Sequence, residues 1–397
     1  MTGSQLAKLL RGNPRFFASY AARKIGLRGG VESPSSVEFN RSPQAARRMW
    51  WMRRQDDDVG RKHRREGGIF TISLDFELHW GTRDKRTLSQ YGANILGGRK
   101  AIPALLDLFT EFGIHATWAV VGSLCFDNPA ELASNLPDVL PRYEDRRLEP
   151  FSELTAIGTG ARDLKYFFAP ELVALIRRTP HQEIGSHTFS HYYCLESGQT
   201  ADMFEADLNA MRRVIRKKFA VEPQSLVFPR NQFTSRYLGL CAQNGIVAYR
   251  GNPASWAYEP RSGREETKLS RVIRLADSYA NLTGHHGHRI DKGKFSVPLD
   301  VPASRFLRPF TKKLRVLEPL RLRRIVRDLT YCAENDLLYH LWWHPDNFGA
   351  DTDANLAFLR KVLVHFKELE NSHGMRSLGM REVAEHAGVQ PAEACVQ

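Results

Sequence analysis

Cysteine is scarce in this chain: five in 397 residues (Cys125, Cys194, Cys241, Cys332, Cys395), scattered, odd in number and without a Cys-x-x-Cys pair. That argues against a disulfide framework and fits a reducing compartment. Long apolar runs are missing too, and nothing approaches the roughly 18 residues that a membrane-spanning helix needs. The N-terminal stretch lacks the uninterrupted apolar core of a secretory signal, because Leu9-Leu10 and Phe16-Phe17 are broken up by Arg11, Asn13 and Arg15. A cytoplasmic protein is expected, peripheral to the inner face of the membrane at most. Acids are outnumbered, 44 against 57 basic residues, for a net charge of +13. The excess is local. Met1–Glu66 holds 15 basic and 6 acidic residues, or +9, and the other 331 residues carry +4.

What is present suits a globular domain behind a basic arm. Hydrophobic residues make up 42% of the chain and charged ones 25%, enough for a sizeable core. Within residues 1–66, the segment Gln44–Arg54 mixes Trp50-Trp51 with Arg47, Arg48, Arg53 and Arg54. It suits an anionic membrane surface or nucleic acid, although charge runs are more often simply solvated. A nucleic-acid role would rest on the arm's charge alone. The domain boundary is placed near Gly67-Gly68, with a domain over 67–387 and a tail over 388–397.

From Gly67 onward strands and helices alternate. Strands are expected at Ile69–Leu74, Ile114–Val121, before His187, at Ser225–Phe228 and Ile246–Tyr249, from Leu337, and near Ser377. Helices are expected at Arg99–Phe112, from an Asn128 cap with Pro129 first, and at Pro170–Arg178, Ala201–Phe219, Ser235–Asn244, Thr311–Ala333, Asp353–Leu369 and from Met380. The basic Thr311–Ala333 stretch is read as packing on the domain rather than lying on a membrane. Residues 137–169 and 251–310 read as loop-rich. Repeated strand–helix units favour a parallel sheet, open or closed.

Three stretches carry chemistry. The Ile69–Leu74 run ends in Asp75-Phe76-Glu77, and alternation along an extended chain points both acids to one side. Gly185-Ser186-His187-Thr188-Phe189-Ser190-His191 places two histidines four apart, on one side of a helical turn. Leu337–Trp343 delivers His344 just before Pro345. Two histidines and a carboxylate suit a divalent metal with open positions. Each stretch has a plainer reading: packed or solvated histidines, solvated acids at a strand end. Trp342, Trp343, Trp256 and Tyr192 lie near these motifs and suit sugar stacking or core equally. His285, His286 and His288 cluster without a matching carboxylate and read as loop.

In this order the three motifs resemble the polysaccharide deacetylase family (the NodB-homology, carbohydrate esterase 4 group), over roughly residues 67–387. The resemblance implies a distorted, incomplete (β/α) barrel of seven strands. It also implies one divalent ion, zinc foremost among zinc, cobalt, nickel and iron, held by Glu77, His187 and His191. Asp75 is then the catalytic base and His344 the general acid, with Asp75 and Glu77 exchanging roles as the alternative. Phe228-Pro229-Arg230 resembles the family's arginine motif, with the Arg after the Pro, and would make Arg230 the partner of the catalytic carboxylate. The implied activity is removal of an N-acetyl group from an amino sugar of a surface glycan or its cytosolic, lipid-linked precursor. Two rivals are a metal-independent, allantoinase-like C–N hydrolase and a non-catalytic glycan- or membrane-binding relative.

Overall fold

The computed structural model describes residues 67–389 apart from 153, 155–156, 158–163, 254–267 and 294–295. The basic arm, the C-terminal tail beyond Val389 and Trp256 lie outside the described residues. Ile69–Phe76 (β1) has all eight residues buried. It pairs in parallel with Ala116–Val120 (β2) on one edge and Leu338–Trp343 (β8) on the other. A strand bonded on both edges and covered on both faces has no polar side, so it reads as an apolar run.

The sheet continues through Gln182–Ser186 (β3), Ser225–Leu226 (β4), Ala248–Tyr249 (β5), Leu299–Asp300 (β6) and Arg305–Phe306 (β7). Its order is β6-β5-β4-β3-β2-β1-β8-β7, and Arg376–Ser377 (β9) pairs with β1. All these pairings are parallel. β6 and β7 end the sheet, and the chain between them spans the gap. Val301 donates its N–H to Tyr249 O (2.9 Å), and Ser304 donates to His340 O (2.8 Å). The expected incomplete barrel therefore forms, with nine strands in its sheet among the described residues where seven were expected. β6 and β7 are the additional pair, and both lie in the stretch read as loop. Two-residue strands are too short to show a period of two.

Around the sheet run Leu88–Phe112 (α1), Pro129–Ala133 (α2), Pro170–Arg178 (α3), Ala201–Phe219 (α4), Ser235–Gln243 (α5), Lys268–Asp277 (α6), Glu318–Glu334 (α7), Thr352–His373 (α8) and Met380–Ala387 (α9). α3 and α4 have the expected bounds. Asn128 caps α2 by accepting the Glu131 N–H, with Pro129 first. α1 starts a full eleven residues before the expected Arg99, behind a Thr87/Gln90 capping box. Its first half holds Gly92, Gly97 and Gly98, poor helix formers that hid it in the sequence. α6 was likewise hidden in the loop-rich reading of 251–310. A 3-10 turn, Lys312–Leu317, precedes α7, which buries Ile325, Leu329, Cys332 and Ala333 as expected of a packed helix.

Candidate active site

Four charged or ionisable residues directly follow the last residue of a strand: Glu77 after β1, His187 after β3, Arg250 after β5 and His344 after β8. Because the strands are parallel, all four gather at one end of the barrel, the end where such folds place their chemistry. Asp75 joins them from the penultimate position of β1. Glu77 itself has left the extended conformation (φ −128°, ψ −17°) and opens a 3-10 turn, Leu78–Gly81. That turn is fixed by Trp80, whose indole N–H donates to Phe167 O (2.8 Å).

The Glu77 carboxylate lies between two imidazoles. Its Oε2 is 2.8 Å from His191 Nε2 and 3.3 Å from His187 Nε2. Each of the three residues offers one ligand atom, and these lie within 4.8 Å of one another. The orientation of His187 bears on what fits there. Its Nδ1 is 2.8 Å from Val227 O. A carbonyl only accepts, so Nδ1 carries a proton, and in the neutral ring the Nε2 lone pair faces a carboxylate. Two acceptors in such contact are relieved by a cation between them, and one carboxylate with two imidazoles suits a zinc-like ion. His191 points the same way. Burial pushes its pKa down to about 4 against the pull of Glu77, and its Nδ1 is buried without a hydrogen-bond partner. The residues present therefore fit a divalent metal.

The two histidines do not share a helical turn. Residues 187–191 form a loop with left-handed backbone at Thr188 (φ 62°) and His191 (φ 59°). Side chains take the place of helical backbone bonds. Asp207 on α4 accepts the N–H groups of Phe189 (2.6 Å) and Ser190 (3.1 Å), and Thr188 Oγ1 accepts that of Tyr192 (2.8 Å). Burial holds the Asp207 pKa up at about 7 in spite of these donors. Non-glycine residues in this backbone region are strained, and such strain concentrates at functional sites.

Asp75 is held by a two-pronged arginine, which is Arg250 and not Arg230. Arg250 Nη1 and Nη2 donate to Asp75 Oδ1 and Oδ2, each at 2.7 Å. Nη1 also donates to Ser73 Oγ (3.0 Å) and Nη2 to Asn231 Oδ1 (3.0 Å). The guanidinium lies over Trp342, 4.1 Å from the ring centroid. Burial raises the pKa of Asp75, but the Arg250 charge and bonds, with His187 and His344, outweigh it and lower the net value. Arg230 pairs instead with Asp84 and Glu196 and stacks on Tyr193 (3.9 Å). Its own backbone is left-handed (φ 56°), as is that of Asn231 (φ 53°), which turns the Arg230 side chain to the rim and Asn231 toward Arg250.

Behind Arg250 the donors and acceptors run in one direction. His340 Nδ1 is 3.0 Å from Val301 O, so Nε2 is an acceptor and takes the Ser73 hydroxyl proton at 2.8 Å. Ser73 in turn accepts from Arg250. Buried, His340 has its pKa pushed down to about 3, which keeps it neutral in this role.

His344 closes the arrangement. Its Nε2 lies 3.4 Å from Glu77 Oε1 and 3.8 Å from Asp75 Oδ2, and with 27% of its side chain exposed it is the most open of these groups. Its Nδ1 faces Asn347 Oδ1 at 3.3 Å. Burial first, then the charge of Glu77, holds the Asp346 carboxyl well above its usual range. Trp342 is half-buried beside His344, whereas Trp343 and Tyr192 are core. His285 pairs with Asp328 (2.8 Å), His286 with Thr283 (2.6 Å) and His288 with Ala303 O (3.3 Å), so these histidines do not converge.

Residues 91–249 match the family model described as polysaccharide deacetylase. The match contains His187 and His191; Asp75, Glu77, Arg250 and His344 lie outside it. A structure from Mycobacterium smegmatis designated a polysaccharide deacetylase superposes with a TM-score of 0.52 at 14% identity, covering 85% of this chain and 97% of that one. A probable polysaccharide deacetylase from Pseudomonas aeruginosa PAO1 gives 0.48 at 11% identity over 81% and 91% of the chains. An allantoinase gives 0.46 at 11% over 81% and 90%. No curated protein matches the sequence. At such identities the structural likeness speaks for the fold. The family model runs from within α1 to the end of β5, across both histidines, and covers less than half of the chain, so this part of the sequence is similar to the polysaccharide deacetylase family.

Proposed function

We propose that the protein is a metal-dependent deacetylase that hydrolyses the N-acetyl group of an amino sugar in a surface polysaccharide or its lipid-linked precursor. The observation that carries this reading is the facing of Glu77 Oε2 by two imidazole nitrogens beside an arginine-held Asp75. A divalent ion held by Glu77, His187 and His191, zinc foremost, would supply Lewis acidity to the amide carbonyl and to a water molecule.

The remaining groups divide the proton work. Arg250 keeps Asp75 ionised and oriented, and each of its oxygens retains a lone pair for the proton of the attacking water. His344 Nε2 faces both carboxylates at the open side of the site, where it holds a proton for the departing nitrogen. The C–N bond breaks as that proton arrives, leaving acetate and a free amine. Trp342 and Phe306, half-buried and 4.8 Å apart by ring centroids, offer apolar faces beside His344 on which a sugar ring can rest.

The test is the metal content of the purified protein, wild type against His187→Ala, with acetate release from N-acetylated oligosaccharides. About one ion per chain is expected, lost in the variant, with activity abolished by chelation and restored by zinc or cobalt. A wild-type protein that takes up no ion when these are supplied refutes the ligand set. Activity that survives chelation moves the reading to a metal-independent C–N hydrolase.

A further inference from the structure

We propose that the exposed face of the segment Lys312–Arg327 is a docking surface for an anionic lipid membrane. Between these positions the sequence has seven basic residues and one acid. The structure sorts them into two sets. Arg321 and Arg324 turn inward, Arg321 onto Glu318 and Arg324 onto Asp328 and Asp277. The one acid of the segment is thereby taken up by a buried arginine. Lys312, Lys313, Arg315, Arg323 and Arg327 point to solvent. Lys313, Arg315, Arg323 and Arg327 have no ion pair among the described residues. Lys312 comes within 3.7 Å of Asp351 with 83% of its side chain exposed.

Apolar side chains stand among these cations. Val316 is 70% exposed, the highest of the large hydrophobics among the described residues, and Leu320 is 38% exposed. Pro319 is exposed between them. Leu320, Arg323 and Arg327 recur at helical spacing along the outer side of α7, and Val316 stands just before them in the 3-10 turn. Cations flanking protruding aliphatic groups are what an interfacial helix presents to a bilayer: the charges meet lipid phosphates, and the apolar tips enter the acyl boundary. A nucleic acid would use the charges but gains nothing from Val316 and Leu320, and no aromatic ring stands between these cations for a base to stack on.

The position of the segment adds to this. It leaves the barrel just after β7, whose last residue, Phe306, lies 6.0 Å from the His344 ring by centroids. Strand β7 is parallel to β8, so the chain exits at the end of the barrel that holds the candidate active site. A membrane meeting Lys312–Leu320 would lie beside the mouth of that site. The binding itself is independent of the proposed chemistry, and its test reads no catalysis.

The experiment is sedimentation of the full chain with vesicles of phosphatidylglycerol and phosphatidylcholine, against phosphatidylcholine alone. Binding to the mixed vesicles only is expected. The double variant Lys313→Ser/Arg315→Ser should weaken it about 25-fold, at about fivefold for each charge near the surface. Val316→Ser/Leu320→Ser should weaken it as well. In Val316→Trp the tryptophan emission should shift to the blue on mixed vesicles. Residues 1–66 are basic and offer the competing explanation: unchanged binding in Lys313→Ser/Arg315→Ser would assign it to them and overturn the proposal. Loss with the charge variant but none with Val316→Ser/Leu320→Ser, together with equal affinity for heparin, would also overturn it, in favour of a soluble polyanion.

Discussion

Replacing Arg250 separates the holding of Asp75 from the rest of the fold. The guanidinium is 1% exposed and Asp75 4%, and four hydrogen bonds tie Arg250 to Asp75, Ser73 and Asn231. Arg250→Met leaves a buried carboxylate without its counter-charge, which costs about 3–5 kcal/mol. Arg250→Lys retains the charge but replaces a planar fork by one ammonium, so it cannot serve both Asp75 oxygens, Ser73 and Asn231 together. The lysine variant is expected to fold with its metal content intact, at a cost of about 1–3 kcal/mol. Its turnover should fall by about 10²–10³, because the base is then free to rotate. Arg230→Met is the control that distinguishes the two arginines. It breaks partly exposed pairs with Asp84 and Glu196 on the rim, so turnover should stay within about tenfold of wild type. The assay is acetate release with metal analysis and thermal unfolding on the same preparations. Wild-type turnover in Arg250→Lys, or a larger loss in Arg230→Met than in Arg250→Lys, would refute the assignment of Arg250 to Asp75.

Gly81 tests the metal cluster from another side. A Cβ there would lie 2.0 Å from Glu77 Cδ and 2.2 Å from its Oε1. Gly81→Ala should thus displace the carboxylate and lower metal content while far-UV circular dichroism stays that of wild type; full occupancy would show that Glu77 is not a ligand. Away from the site, Glu382 has its pKa lowered: burial raises it, but His115 at 2.8 Å and the Gly379 N–H outweigh that. A depressed carboxyl stabilises the fold above its unfolded value, near 4.5, and loses that contribution as pH falls through the folded value. Urea unfolding between about pH 6 and 3 should show a shallower acid limb in Glu382→Gln than in wild type, and parallel limbs would contradict the pairing.

The site was legible where a charged residue ends a strand long enough to recognise. β1 and β8 are apolar runs of eight and six residues, and Asp75, Glu77 and His344 stand out behind them. Arg250 obeys the same rule behind an expected strand, Ile246–Tyr249, of which two residues pair as β5, but the arginine motif of the resemblance drew the reading to Arg230. A charge directly after Val247-Ala248-Tyr249 was the available signal. Ser73 and His340 lie at even offsets from Asp75 and His344, on the same faces of their strands, so the alternation that singled out the acids marks the relay as well. The His187–His191 loop was misread as helical because spacing alone cannot reveal that Asp207, sixteen residues beyond His191, supplies the missing acceptors. Short strands and contacts between distant side chains are what a single sequence conceals.

The glycines of α1 bear on how the site is to be moved to another scaffold. Gly97 and Gly98 face the turn Pro345–Phe348 so closely that a Cβ on Gly97 would come within 2.1 Å of Gly349 O, and one on Gly98 within 2.7 Å of Asp346 Cα. The turn that begins at His344 is therefore seated against the backbone of a helix that follows β1, not against its own strand. Asp75, Glu77 and His344 are thus gauged from both ends of one continuous stretch, β1 through α1. Transplanting the strand ends alone would leave the imidazole without its stop, and a graft would have to take Ile69–Phe112 and Leu338–Gly349 together.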